Sequence, residues 1–256
     1  MALVYTVTAS AALLAPRARE GGAFARFLGE FYPLLLTVGL YTAIGVLNRA
    51  AGSSHDLTIQ RWEAAVFGGQ PAHDWIRAQP WPWLSAVLHV GYLSYYALLA
   101  SAPLGPWLRG DVGGARRTVL AMSVAFYLCY AVFLTFPVAG PHYSFPPAEN
   151  AATAVAPARL TYRLLDAGAA WGTAFPSSHV AVSLVAAACA LRFLRGLGLV
   201  LAPLAILLTL GTVYGQFHYA LDALAGALVA AAVLAPVLRG NMAGPSAGAR
   251  RESQET

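Results

Sequence analysis

The sequence predicts an all-α fold, a multispan membrane bundle with six core transmembrane helices. Three observations point there. Hydrophobic residues make up 58% of the 256-residue chain and charged residues only 11%, where a soluble domain carries roughly a quarter charged residues. Six apolar stretches, roughly 31–49, 82–107, 118–138, 178–193, 197–214 and 218–238, approach the ~20 residues that a helix needs to cross a bilayer core. No internal repeat and no separate soluble domain divides them.

Taken in order, residues 2–15 ("ALVYTVTASAALLA") are too short for a full span. They lack the basic stretch of a signal peptide. They read as a short membrane-associated helix within an N-terminal segment, 1–25. The first core span follows at 31–49. Segment 56–77 ("DLTIQRWEAAVFGGQPAHDWIR") mixes aromatics with charge, as a helix lying in the interface does. The second and third spans, 82–107 and 118–138, lead into 139–150 ("AGPHYSFPPAEN"), whose Pro and Gly predict an irregular but ordered loop. The fourth stretch is short unless its helix begins in the Phe-Pro-Ser turn before it. The fifth and sixth are joined only by 215–217 and complete a single domain, 26–239. The remainder, 240–256, is polar and reads as a disordered cytoplasmic tail.

The net charge of +5 comes entirely from arginine, since the chain has no lysine. No basic patch alternates with aromatics, which excludes a nucleic-acid footprint. The arginines instead set an orientation. With 31–49 running outward, eleven arginines fall on inner segments and five on outer ones. The loops 50–81 and 139–177 and the connection 215–217 then face outward. This predicts a multi-pass cell-membrane protein whose polar residues gather on the extracytoplasmic side. Cys129 and Cys189 lie inside apolar stretches and read as small packing residues.

Two polar clusters break the apolar pattern. "AFPSSHVA" (174–181) puts Ser177, Ser178 and His179 at the outer start of the fourth helix. "GQFHYALDALAG" (215–226) puts His218 at the outer start of the sixth, with Asp222 four residues on and so on the same helical face. Asp222 is the one acidic residue within the predicted spans, and an unpaired carboxylate there is costly. A carboxylate bonded to one imidazole nitrogen fixes the tautomer and leaves the other nitrogen as nucleophile or base. A second histidine can supply the leaving group's proton. Both lie near helix N-termini, which favour an anion such as phosphate. His89 reads as a packing residue, and His55 and His73 as solvated loop residues. A zinc site built from His179, His218 and Asp222 lacks a fourth ligand. Tyr214 and Tyr219 read as interfacial aromatics.

"FPSSHVAVS" and "HYALDALAG" resemble the second and third signature motifs of the type 2 phosphatidic acid phosphatase superfamily, more closely its inositol phosphorylceramide synthase-like branch. "FYPLLLTVGLY", "HDLTIQRWEAAVFGGQP" and "FPVAGPHYSFP" are similar to that branch too, so the likeness runs from about residue 26 to 238. The resemblance implies a six-helix core with an extracytoplasmic site and no cofactor or metal. It implies that His218 attacks the phosphorus of a lipid phosphate, that Asp222 supports it, and that His179 protonates the leaving oxygen. Water or an alcohol such as inositol would then take the phosphoryl group. Ser177, Ser178, His142, Gln216 and Arg163 are the expected substrate-binding residues.

The chain departs from the family pattern in its cations. The superfamily's first motif carries lysine and arginine, and here His142 stands where this branch often has arginine. Thr212 and Gln216 occupy two further arginine positions before His218. Charge-assisted bonds are roughly twice as strong as neutral ones, so this site should hold a phosphate dianion less tightly. Three explanations stand: Arg159 or Arg163 reaches in, the substrate is a diester or pyrophosphate ester, or activity is lost. The last gives the rival from another class, an inactive membrane scaffold or transporter that retains the fold. An intramembrane serine protease using Ser177 or Ser178 lacks a Gly-x-Ser-Gly pattern and leaves the His218–Asp222 spacing unexplained.

Overall fold

The computed structural model describes residues 22–238. The expected helix at 2–15 and the tail at 240–256 lie outside the described residues. Among the described residues there are eleven helices and no strand: α1 (Ala23–Ala51), α2 (Asp56–Phe67), α3 (Pro71–Ala78), α4 (Pro82–Leu93), α5 (Tyr95–Leu108), α6 (Val112–Thr135), α7 (Pro141–Ser144), α8 (Ala156–Gly168), α9 (Ser178–Phe193), α10 (Arg195–Tyr214) and α11 (Ala220–Leu238).

Among the described residues four helices are long and apolar enough to cross a membrane: α1, α6, α10 and α11. The second predicted span is not one straight helix. It is the pair α4 and α5, bent by 42° at Ser94, and it makes a fifth span if the pair is counted as one. The bend has a local cause, since Gly91 and Ser94 sit together and the Ser94 hydroxyl donates to the Gly91 carbonyl at 2.6 Å. The fourth predicted stretch begins in the Phe-Pro-Ser turn, yet α9 has only 16 residues. At 1.5 Å per residue it is about 24 Å long, short of the ~30 Å hydrocarbon core.

Helix α9 can be short because it is the centre of the bundle. It packs against α5, α6, α10 and α11, and Val180, Val182, Val185, Ala186 and Ala190 on it are buried. Its neighbours face outward with Leu120, Val124 and Leu128 on α6, Ile206 and Leu210 on α10, and Leu224 and Leu228 on α11, all exposed. In water such surfaces would aggregate, whereas against lipid tails they are matched. Small residues let the helices close up. A Cβ on Gly226 of α11 would collide with the Ser177 carbonyl at the start of α9, and one on Gly211 of α10 with the Leu88 carbonyl of α4.

The remaining helices cluster at one end of the bundle. Segment 56–77 is two helices rather than one, because Gly68 takes a left-handed conformation and ends α2, and Pro71 starts α3. The 139–150 loop is irregular apart from the one-turn α7. At this end Asn48, the penultimate polar residue of α1, donates to the carbonyls of Phe133 (3.0 Å) and Gly172 (2.9 Å). That ties α1, α6 and the loop before α9 together. At the opposite end the Arg116 guanidinium clamps the buried Glu30 carboxylate through two nitrogens, joining α6 to α1.

Candidate active site

Three loops meet at the crowded end of the bundle. The turn before α9 contains a cis Phe175–Pro176 bond and brings Ser177 to the N-cap, where its hydroxyl accepts from Val180 N–H at 3.3 Å. Ser177 N–H in turn donates to the Asp222 carbonyl at 2.9 Å, which locks the start of α9 to the first turn of α11. Between α10 and α11, Phe217 and His218 N–H both donate to the Thr212 carbonyl. This tight turn aims His218 back over the bundle.

The two histidines that the sequence singled out converge. Their ring centroids are 5.6 Å apart, and both line one small cavity of about 40 Å³ together with Tyr41, Tyr92, His142 and Phe217. Asp222 is 0% exposed. Its Oδ2 lies 3.4 Å from His218 Nδ1 and accepts from Tyr219 N–H at 2.8 Å. Nδ1 therefore faces the carboxylate, and Nε2 is left for the cavity. His179 is sandwiched by Tyr92 (centroids 5.5 Å) and Tyr95 (4.4 Å), and its buried Nδ1 has no hydrogen-bond partner.

The other expected residues divide. Ser178 lines an apolar groove of about 280 Å³ that reaches His179. His142 and Gln216 line a separate outer cavity of about 210 Å³, with His142 Nε2 at 3.3 Å from Asp166 Oδ1. Ser177 is used by the fold, since its hydroxyl caps α9. Arg163 is exposed on α8 and lines none of these three cavities. Arg159 does not reach in either, and donates to the Ala154 carbonyl. Arg77, which donates to the carbonyls of His73 and Pro146, braces the outer loop. No arginine lines the three cavities.

Two tyrosines correct the sequence reading. Tyr214 and Tyr219 are fully buried rather than interfacial. Tyr214 donates to the Gln79 carbonyl at 2.8 Å and Tyr219 to Asp56 Oδ1 at 3.0 Å. His55 is also no free loop residue, being stacked on Phe136 with centroids 4.2 Å apart. His89 packs as expected, buried with Nδ1 2.8 Å from the Ser85 carbonyl.

Asp56 and Glu63 of α2 were missed altogether. Asp56 accepts from Ala139 and Gly140 N–H (2.8 Å each), from the Ser144 hydroxyl (3.1 Å) and from Tyr219 (3.0 Å). It thereby joins the loop carrying His142 to the turn carrying His218. Glu63 is 0% exposed and accepts from Leu221 N–H at 3.1 Å. Burial raises its carboxyl to about 7, against the lowering effect of the Leu221 and Ala220 N–H groups. The seven-residue spacing, two helical turns, was a readable signal that both face one way.

The same contacts change one expectation about anions. The start of α11 already holds two carboxylates, with Tyr219 N–H on Asp222 and Leu221 N–H on Glu63. Its dipole is satisfied internally. Among the described residues no group of three His, Cys, Asp or Glu side chains stands ready to hold a metal ion.

No curated protein and no solved structure matches the chain significantly. The sequence profile described as the PAP2 superfamily matches residues 57–235, from the first turn of α2 to the last turn of α11. That stretch covers well over half of the sequence and holds both histidines and Asp222, so the chain belongs to the PAP2 superfamily.

Proposed function

We propose that this protein is a membrane enzyme that takes the phosphoryl group of a lipid phosphate onto His218 and passes it to water or to an alcohol. The observation that carries the reading is the pair of imidazoles 5.6 Å apart over one cavity, with a buried carboxylate behind only one of them. Membership of the PAP2 superfamily supports phosphatase or phosphotransferase chemistry on lipid phosphates in general.

In the first step the lone pair on His218 Nε2 forms a bond to phosphorus. The bond from phosphorus to the leaving oxygen breaks, and His179 gives that oxygen a proton. Asp222 offsets the positive charge that develops on the His218 ring. In the second step the oxygen of water or an alcohol attacks phosphorus, its proton goes to His179, and the N–P electron pair returns to His218. No metal and no cofactor take part in this scheme. The apolar groove ending at His179 suits the lipid portion of the substrate.

We further propose that residues 26–239 form one domain of six spans, with α9 as the sixth, shielded from lipid by its neighbours. The arginine bias supports a multi-pass protein of the cell membrane with the histidine end outside. Residues 1–25 and 240–256 would flank the domain as a membrane-associated segment and a cytoplasmic tail. The similarity to the inositol phosphorylceramide synthase-like branch favours inositol as an acceptor. One observation favours a second reading, an inactive scaffold or transporter: no guanidinium lines the cavities.

The test is to purify the full chain in lipid-like detergent and incubate it with ³²P-labelled lipid phosphates, with and without alcohols. The enzyme reading expects free phosphate or a new phosphodiester, an acid-labile phosphoenzyme, and loss of both in His218→Ala. Turnover that survives His218→Ala rejects the nucleophile, and inertness across monoesters, diesters and pyrophosphate esters favours the scaffold.

A further inference from the structure

The histidine cavity has two neighbours that share no lining residue with each other. One is the apolar, tyrosine-lined groove that meets it at His179, Tyr41 and Tyr92. The other lies on the outer side and meets it at His142. A single substrate has no need of two separate approaches to one phosphorus. A two-step reaction with a lipid donor and a water-soluble acceptor does.

The outer cavity has the chemistry of the second kind. Its volume of about 210 Å³ leaves room for a molecule with the bulk of a small polyol. The polar groups around it are the His142 imidazole, the Asp166 carboxylate, the Gln216 carboxamide, the Tyr162 phenol and the Thr153 hydroxyl, the last donating to the Asn150 carbonyl at 2.9 Å. The phenol donates to the Gly215 carbonyl at 3.3 Å. A carboxylate accepts only, while a carboxamide both donates and accepts. Vicinal hydroxyls, each donor and acceptor, can satisfy both. Pro146 and Pro147 supply C–H faces against which the carbon side of such a ring can lie. An anionic acceptor would meet Asp166, whose partner is the His142 imidazole at 3.3 Å, with no arginine lining the cavity to offset it.

A second observation singles out the same place. Gln216 is the one non-glycine residue with positive φ (58°) among the described residues, and it is 5% exposed. Backbone in this region persists where the surroundings hold it, often at ligand sites. The turn that strains Gln216 presents it to the outer cavity and His218, two residues on, to the histidine cavity.

We propose that the cavity between His142, Tyr162, Asp166 and Gln216 is an acceptor subsite for an uncharged polyol, with Asp166 excluding anionic acceptors. The inference rests on the phosphohistidine reading and extends it. A polyol hydroxyl entering past His142 attacks the phosphorus on His218 Nε2, the P–N bond breaks as the P–O bond forms, and the hydroxyl proton passes to His179. The products are a phosphorylated polyol and free His218.

The experiment uses the purified full chain, a labelled lipid phosphate, and myo-inositol, glycerol or myo-inositol 1-phosphate as acceptor. Transfer and hydrolysis are measured in the same tube. Transfer to the neutral polyols should exceed transfer to the phosphate. Thr153→Phe, which fills the cavity, should lower the ratio of transfer to hydrolysis by at least about tenfold, the scale on which a pocket discriminates by shape. Asp166→Asn should raise the relative use of myo-inositol 1-phosphate. Saturation-transfer NMR with myo-inositol alone reads occupancy without turnover, and its signal should vanish in Thr153→Phe. Hydrolysis without polyol transfer, together with no saturation transfer, overturns the subsite and leaves the phosphohistidine reading standing. Equal use of neutral and anionic acceptors overturns the assigned selectivity. Saturation transfer without any hydrolysis or transfer rejects the phosphohistidine reading instead.

Discussion

His179 and His218 are alike as residues and differ by what stands behind them. Asp222 faces His218 Nδ1, while the buried Nδ1 of His179 has no partner. In the proposed mechanism the first stays oriented as the nucleophile and the second exchanges a proton. Removing the acid should therefore matter only when the leaving group needs one. His179→Ala should slow phosphoenzyme formation from an alkyl phosphate by about 10²–10⁴-fold. A nitrophenyl phosphate, whose leaving oxygen needs no proton, should recover most of that loss in rapid-quench measurements. Equal losses on both substrates would remove His179 from the acid's role. Glu63 gives a prediction about stability. Its folded pKa, about 7, lies above the ordinary 4.5 because of burial, so the folded chain holds this proton more tightly than the unfolded chain. Its contribution is fully present below the unfolded pKa and is lost as pH rises through the folded one. The thermal midpoint should fall between about pH 5 and about pH 8, and Glu63→Gln should flatten that slope.

At the scale of elements, α2 carries more of the site than its sequence suggests. The Asp56 carboxylate collects four donors from the 139–144 loop and the turn before α11. Hydrogen bonds to a charged group are worth about 1.5–3 kcal/mol each, so the two loops are held as one unit. Asp56→Ala should lower the thermal midpoint and reduce kcat, while Asp56→Asn, which keeps one acceptor oxygen, should restore part of both. A loss in Asp56→Ala confined to KM would show that the clamp serves binding alone. What the sequence made legible here was helical periodicity and cap chemistry: α9 starts in the Phe-Pro-Ser turn, and Asp222 sits one turn from His218. What it hid were partners distant along the chain. Ser177 suits a phosphate and an N-cap alike by its hydroxyl, and the Val180 N–H shows that the cap is one use of it. Tyr219 looked interfacial because a tyrosine at a helix end is so in most membrane proteins, and Asp56, far earlier in the chain, buries it.

For the whole molecule, the bundle is organised around a helix too short to span by itself. Placing α9 at the centre, packed against α5, α6, α10 and α11, removes the need to match lipid thickness. Orientation is open to a direct test. Cys129 and Cys189 are buried and should stay silent toward a membrane-impermeant maleimide applied to intact cells. Ser53→Cys, in the exposed link between α1 and α2, should react at once. Gly110→Cys, in the exposed turn between α5 and α6, should react only after lysis. The reverse pattern would place the histidine end inside.

The sequence by itself determined a helical membrane bundle, the family motifs and the residue types able to move a phosphoryl group. Those properties are local, written in composition and in spacings of three to seven residues. The tertiary structure decided which polar groups are free to act. It spent Ser177 on a cap, left Arg163 outside, filled the start of α11 with two carboxylates and opened two separate cavities beside the histidines. Such assignments depend on contacts between residues far apart in the chain. No local pattern encodes them, because a buried hydrogen-bonding group is claimed by whichever partner the packing brings within reach.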